Sequence, residues 1–281
     1  IRDFCLSRGL GDVYKRLMLY SDNSRVHYRR PQLMEVVCQL RFPAILSIGA
    51  REPADFQEAV RAMFPRYAAK QEQPAPRLAG QGTPNARLEP QKPVTNYYFI
   101  SADGKWKLNL TSTFIALSTL SYPGWEVFGQ HFDLPLAQFI RIYQPAFFER
   151  VGLRYVNIFS RKALDLEGTP WRELIARPYL GVLAEEDVDE ERVSKCSVDV
   201  EMALDSSCRA KFHAGPGFIR QNAPSAPQDQ EVRFVLDMDL SMSGQIDPRM
   251  AAATLETLHG HSSPLFQGAI TDKLHSALEP Q

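Results

Sequence analysis

Two strand-like stretches set side chains capable of chemistry on common faces. In EVRFVLDMDLSMSG, Phe234, Leu236, Met238 and Leu240 alternate with Val235, Asp237, Asp239 and Ser241, so a strand here turns both aspartates to one side. Residues two apart on a strand lie about 6.5–7 Å apart, close enough for both carboxylates to address one divalent ion or bracket one substrate. His213, in CRAKFHAG, is placed to join them from the preceding strand. Two aspartates suit a hard cation, and the added imidazole suits a transition metal. The bland alternative is a solvent face whose aspartates pair with Arg209, Lys211 or Arg233. Asp-x-Asp is a common tripeptide, and the solvent face is the stronger reading.

The second stretch is ERVGLRYVNIFSR. Val151, Leu153 and Tyr155 alternate with Arg150, Gly152 and Arg154. Two arginines on one side of a strand, with a glycine leaving room between them, make an anion clamp. Asn157, on the Tyr155 side, is placed to anchor a loop or touch the ligand. The alternative is a charge ladder in which Arg150 and Arg154 pair with Asp199 and Glu201 of a neighbouring strand.

Familiar signatures are missing from the sequence. GxxxxGK[ST], HExxH and GxSxG do not occur, and GLGD at 9–12 lacks the strand and third glycine of a dinucleotide loop. The cysteines at 5, 38, 196 and 208 form no CxxC pair, and only Cys196 and Cys208, flanking a hairpin, are placed for a disulfide. With 32 basic and 33 acidic side chains the net charge is −1. That balance offers no broad field for nucleic acid or an anionic membrane, and no apolar run approaches the ~20 residues of a membrane span. Hydrophobic residues at 44% and charged residues at 23% exclude a disordered or coiled-coil chain. The N-terminus lacks a signal-peptide core, so a cytoplasmic location is expected.

The elements that would position these residues follow from hydrophobic period. Residues 1–30 read as a leader with a short helix over DVYKRLMLY. MEVVCQLRFP is a strand, EPADFQEAVRAMF a helix, and the Pro-rich stretch 71–95 a solvated loop. NYYFISA and KWKLNLTSTFIALSTLSY flank Asp103-Gly104, a strong hairpin signal, and the second run bends near Thr111–Thr113. A helix beginning at Pro123 sets Trp125, Phe128, Phe132 and Phe139 on one face. The strand around Arg154 completes a β-α-β-β-α-β order, as in ferredoxin-like units. From 163 onward come a short helix at TPWRELIA, an exposed acidic connector at 185–192, three strands, and a C-terminal segment divided into two helices by Gly260 and Pro264. The expected class is α+β, with mainly antiparallel sheets covered by helices. Three segments are expected: a leader (1–30), a β-α-β-β-α-β domain (31–162) and a βββα domain (163–281), the last two able to share one sheet.

MEVVCQLRFP, preceded by Arg30-Pro31, and ERVGLRYVN resemble a sporadically distributed bacterial protein family with no assigned reaction. LSTLSYPGWEVF and LFQGAITDKLHSALEP add to the resemblance, which covers about residues 29–279. It implies a bacterial cytoplasmic α+β protein and supplies no catalytic residue.

The leading functional expectation is a binding or regulatory module without its own reaction, recognising a small anionic ligand or a protein partner. The alternatives are a metal-dependent phosphoryl- or nucleotide-processing enzyme built on Asp237, Asp239 and His213, and a protein-interaction subunit of a multi-gene bacterial system. No cofactor is expected beyond a divalent metal in the enzyme reading. A homo-oligomer is left open, and neither membrane nor nucleic acid is an expected partner.

Overall fold

A computed structural model describes residues 21, 25–73, 75–79, 87–90, 93–218 and 231–281. The helix expected over DVYKRLMLY and the loop expected over RQNAPSAPQDQ lie outside the described residues. In chain order the elements are β1 (Leu33–Arg41), α1 (Leu46–Ala50), α2 (Ala54–Val60), β2 (Arg66–Glu72), β3 (Arg77–Ala79), β4 (Arg87–Glu89), β5 (Val94–Ile100), β6 (Trp106–Leu110) and β7 (Phe114–Thr119). They continue with α3 (Trp125–Tyr143), β8 (Phe148–Phe159), β9 (Val198–Ala203), β10 (Cys208–Gly217), β11 (Arg233–Ile246), α4 (Ala251–Ala269) and α5 (Asp272–Ala277). The class is α+β, with antiparallel pairing and helices against the sheets.

The chain forms two compact units, each assembled from separated segments. Unit 1 takes the residues through Met34, then Leu153–Met242 and Ala253–Gln281; unit 2 takes Glu35–Gly152 and Ser243–Ala252.

In unit 2 the strand order is β2-β5-β6-β7-β1, antiparallel throughout. The Asp-Gly signal holds: Gly104 takes φ 75°, and Asp103 Oδ1 accepts hydrogen bonds from Ser101 Oγ (2.5 Å) and Lys105 N–H (3.1 Å). The bend expected at Thr111–Thr113 is the turn between β6 and β7, where Thr111 Oγ1 accepts from the N–H groups of Thr113 and Phe114. The Pro-rich stretch departs from a plain loop, because β3 and β4 pair within it as a two-stranded ribbon. Helix α3 buries Trp125, Phe128, Phe132, Leu136 and Phe139, the face its aromatic spacing predicts. Phe139 meets Phe42 of the following loop of β1 at 4.8 Å between centroids, and the His131 ring stacks on Trp106 at 3.9 Å.

In unit 1 the order is β8-β11-β10-β9. One face buries Leu153, Tyr155 and Phe159, then Phe234, Leu236 and Met238, then Ala210, Phe212 and Ala214. Trp171 packs on Phe234 and Tyr179 on Phe212, and Phe266 of α4 lies against Phe159. The expected helix at TPWRELIA is a single 3₁₀ turn, Trp171–Glu173. Helix α4 runs unbroken through Gly260 and Pro264, contrary to the expected division, and the chain breaks instead at Ile270–Thr271. A proline interrupts only the bond to the carbonyl four residues back, and Leu255, Leu258, Leu265 and Ala269 stay buried on both sides of it. That continuous apolar stripe outweighs one missing hydrogen bond.

The end of the expected leader is fastened rather than loose. Arg29 and Arg30 donate their N–H groups to Glu279 and Leu278, Gln281 donates back to His27, and the Tyr28 ring meets Phe266 edge-on. Cys38, Cys196 and Cys208 are free thiols, so the hairpin disulfide is not formed. No helix among the described residues is long and apolar enough to cross a membrane.

Candidate functional site

The sheet face of unit 1 opposite the core carries Arg154, His213, Asp237 and Asp239 of the residues singled out from the sequence, and Arg154 is spent on Asp237. Strand register sets Asp237 opposite His213, and His213 opposite Asp199. Arg154 reaches Asp237 with both arms of its fork, Nε to Oδ1 at 2.7 Å and Nη2 to Oδ2 at 2.5 Å. His213 Nδ1 lies 3.0 Å from Asp199 Oδ1. In the adjoining row Lys211 stands between Asp239 and Glu201, and Arg209 reaches Glu201 at 3.8 Å. Acidic and basic side chains thus alternate across the strands as a ladder.

This arrangement corrects both sequence-based sites. The anion clamp loses Arg154, whose bidentate geometry is already taken by a carboxylate. Arg150 belongs to unit 2 and lies along its own strand over Gly152, where an added Cβ would collide with the guanidinium. Asn157 faces inward, 5% exposed, and its amide reaches the Leu236 carbonyl at 3.4 Å, tying β8 to β11. Asp237, Asp239 and His213 do not converge on a point. The single trio of His, Cys, Asp or Glu ligand atoms within 4.8 Å of one another, among the described residues, is Asp205, Cys208 and His261.

The Arg154–Asp237 pair makes a sharp prediction. Arg154 is 46% exposed and Asp237 only 15%, so removing the arginine strands a half-buried carboxylate while water screens part of the loss. Arg154→Ala should lower unfolding free energy by about 1–2 kcal/mol, and adding Asp237→Asn should recover part of it. Urea unfolding of both single variants and the double variant reads this coupling. Additive losses would mean that the pair is not formed in solution.

A broad, open concavity of unit 1 lies elsewhere, along the connector between β8 and β9. It encloses about 860 Å3, and seven carboxylates against three cations stand in its described lining. Its wall is braced from within. The Arg161 guanidinium lies 4.4 Å from the Trp171 ring centroid and donates to the Thr169 carbonyl at 2.9 Å. Glu190 accepts from Arg161 through Oε1 and from the Trp171 N–H through Oε2, at 2.5 and 2.8 Å. Glu231 accepts from Ser160 Oγ at 2.6 Å and lies 2.8 Å from Arg233. The remaining acids, Glu167, Glu186, Asp187, Asp189 and Glu191, are exposed and make no ion pair among the described residues. The acidic run 185–192 is exposed, as its composition predicts, but it borders a cleft and does not merely connect strands. The clue was the run itself. That Arg161, Trp171 and Glu190 shape a wall beside it depends on contacts that no local pattern announces.

A second cluster was also missed. Asp205 sits in the turn between β9 and β10, where its Oδ1 accepts from Ser207 N–H (2.7 Å), Ser207 Oγ (2.9 Å) and Cys208 N–H (2.6 Å). Its other oxygen, Oδ2, lies 3.6 Å from His261 Nε2 on α4. Burial, and then the neighbouring Asp205 charge, push the Cys208 thiol up to about 11. Such a thiol is protonated at neutral pH and is a poor nucleophile.

The chain matches no family model, and neither the curated proteins nor the solved structures contain a protein similar to it at a significant level.

Proposed function

We propose that this protein is a binding module for a protein partner, and that the cleft of unit 1 receives a partner segment bearing lysine or arginine side chains. The observation that carries the reading is the concave space of about 860 Å3 with its surplus of carboxylates. Its volume falls within the range of ligand-binding clefts, roughly 300–1,000 Å3. Concave walls of low dielectric focus the field of such charges and raise the local concentration of oppositely charged groups. The rim acids Glu186, Asp187 and Glu191 supply the attraction, while Glu190 and Glu231, held by internal donors, keep the wall rigid. A rigid wall spares binding the entropy of ordering it. An anionic small molecule, the other choice open to a binding module, loses support twice. Arg154 is engaged by Asp237, and the cleft repels negative charge.

A fluorescent peptide of alternating lysine and serine should bind, and a glutamate–serine counterpart should not, when each is titrated and followed by anisotropy. Raising salt from 0.1 to 1 M contracts the screening length from about 10 to about 3 Å, so affinity should fall by about tenfold or more. Equal binding of the two peptides, or lysine-peptide binding indifferent to salt, would contradict the proposal.

A further inference from the structure

The acidic cleft leaves unexplained why a carboxylate, a thiol and an imidazole meet at the base of the β9–β10 hairpin. Two come from one turn, Asp205-x-x-Cys208, and the third, His261, from the middle of α4. The x-x spacing is the short one that metal knuckles use, because a tight turn brings both side chains to the same side of the backbone. All three ligand atoms already lie within 4.8 Å of one another. In a tetrahedral zinc site with bonds of about 2.1 Å, nitrogen and oxygen ligands stand about 3.4 Å apart. His261 Nε2 and Asp205 Oδ2 are 3.6 Å apart here. We propose that Asp205, Cys208 and His261 form a zinc(II) site.

The chemistry of the donors selects the ion. Calcium and magnesium require oxygen ligands, whereas a mixed sulfur, nitrogen and oxygen set suits zinc. The surroundings orient the set as well. Three donors hold Asp205 Oδ1, which fixes the carboxylate plane and leaves Oδ2 turned to His261. Outer contacts of this kind position ligands in metal sites. Cys208 is fully buried and His261 is 20% exposed at its side chain, so one side of the site opens toward solvent. Without a cation, Asp205 disfavours a thiolate beside it; a divalent charge between the two converts that repulsion into attraction. On binding, the Cys208 thiol gives its proton to solvent and its sulfur becomes a ligand. Three protein ligands leave a fourth position for water. The ion would tie the hairpin to α4, so its first consequence is stability.

The test uses the whole chain, stripped with chelator and reloaded. One equivalent of zinc should remain after dialysis, and the melting temperature should rise with zinc concentration. Cobalt(II) in place of zinc should give a thiolate-to-cobalt charge-transfer band and the intense visible bands of a tetrahedral centre. Cys208→Ser should abolish the charge-transfer band, and His261→Gln should weaken zinc binding by about tenfold or more. Cys5→Ser, Cys38→Ser and Cys196→Ser should leave all three readouts unchanged. If Cys208→Ser does not fold, His261→Gln, at a part-exposed position, decides the matter. Zinc uptake unaltered in His261→Gln, a cobalt spectrum without a sulfur band, or loss of the band in Cys196→Ser would overturn the site.

Discussion

Phe139→Ala is expected to lower unfolding free energy by about 3–5 kcal/mol, the cost of emptying a space that tight neighbours cannot refill. Phe139 is fully buried at the contact of α3 with its unit. Its ring centroid lies 4.8 Å from that of Phe42, 5.4 Å from Tyr143 and 6.4 Å from Phe148. Three rings held by separate elements of unit 2 cannot all move inward, so most of the cavity stays open. Val127 and Leu134, on the opposite side of α3, are 37% and 39% exposed. Their alanine variants should cost about 1 kcal/mol or less, since little apolar area leaves the interior. Urea unfolding separates these cases. A Phe139→Ala midpoint close to wild type would mean that the aromatic face of α3 is not a packed one.

The second large effect is acid sensitivity centred on His259. This imidazole is 5% exposed, with Tyr155 Oη at 2.7 Å from its Nδ1. Burial, with a smaller contribution from Arg25, pushes its pKa down from 6.5 to about 3. Above pH 6.5 the imidazole is neutral in folded and unfolded chains alike and pH has no effect through it. Between 6.5 and about 3 the unfolded chain takes up a proton that the folded chain refuses, so stability falls as pH falls. The loss should reach about 1–2 kcal/mol by pH 5. Melting temperatures from pH 7.5 to 4.5 should therefore decline already above pH 5, and His259→Gln should flatten that part of the curve. An unchanged slope in the variant would place the proton uptake elsewhere.

Local chemistry was legible wherever a short stretch decides it. The alternation of Phe234, Leu236, Met238 and Leu240 against Asp237 and Asp239 sets both faces of β11 without reference to its neighbours. Asp103-Gly104 needs only its own φ preference, and the α3 aromatics only the helical period. What escaped depends on residues far apart in the chain. Arg154 and Asp237 are 83 positions apart, and which carboxylate would reach the arginine follows from β8 lying beside β11. The pairing of β1 with β7 is equally distant. Asp205, Cys208 and His261 were invisible as a group because the third ligand arrives from α4. Pro264 misled for the opposite reason: a strong local signal was overridden by burial on either side of it.

The claim that a basic partner segment occupies the cleft is tested most directly by reversing charge at two places and comparing them. Glu186→Lys with Glu191→Lys changes the cleft rim, while Asp199→Lys with Glu201→Lys makes an equal change in net charge on the exposed face of β9. Calorimetric titration of the lysine–serine peptide should show affinity reduced about tenfold or more, some 1.4 kcal/mol, by the first pair and altered little by the second. Equal losses from both pairs would contradict the account, since the peptide would then be answering to overall charge and not to the cleft.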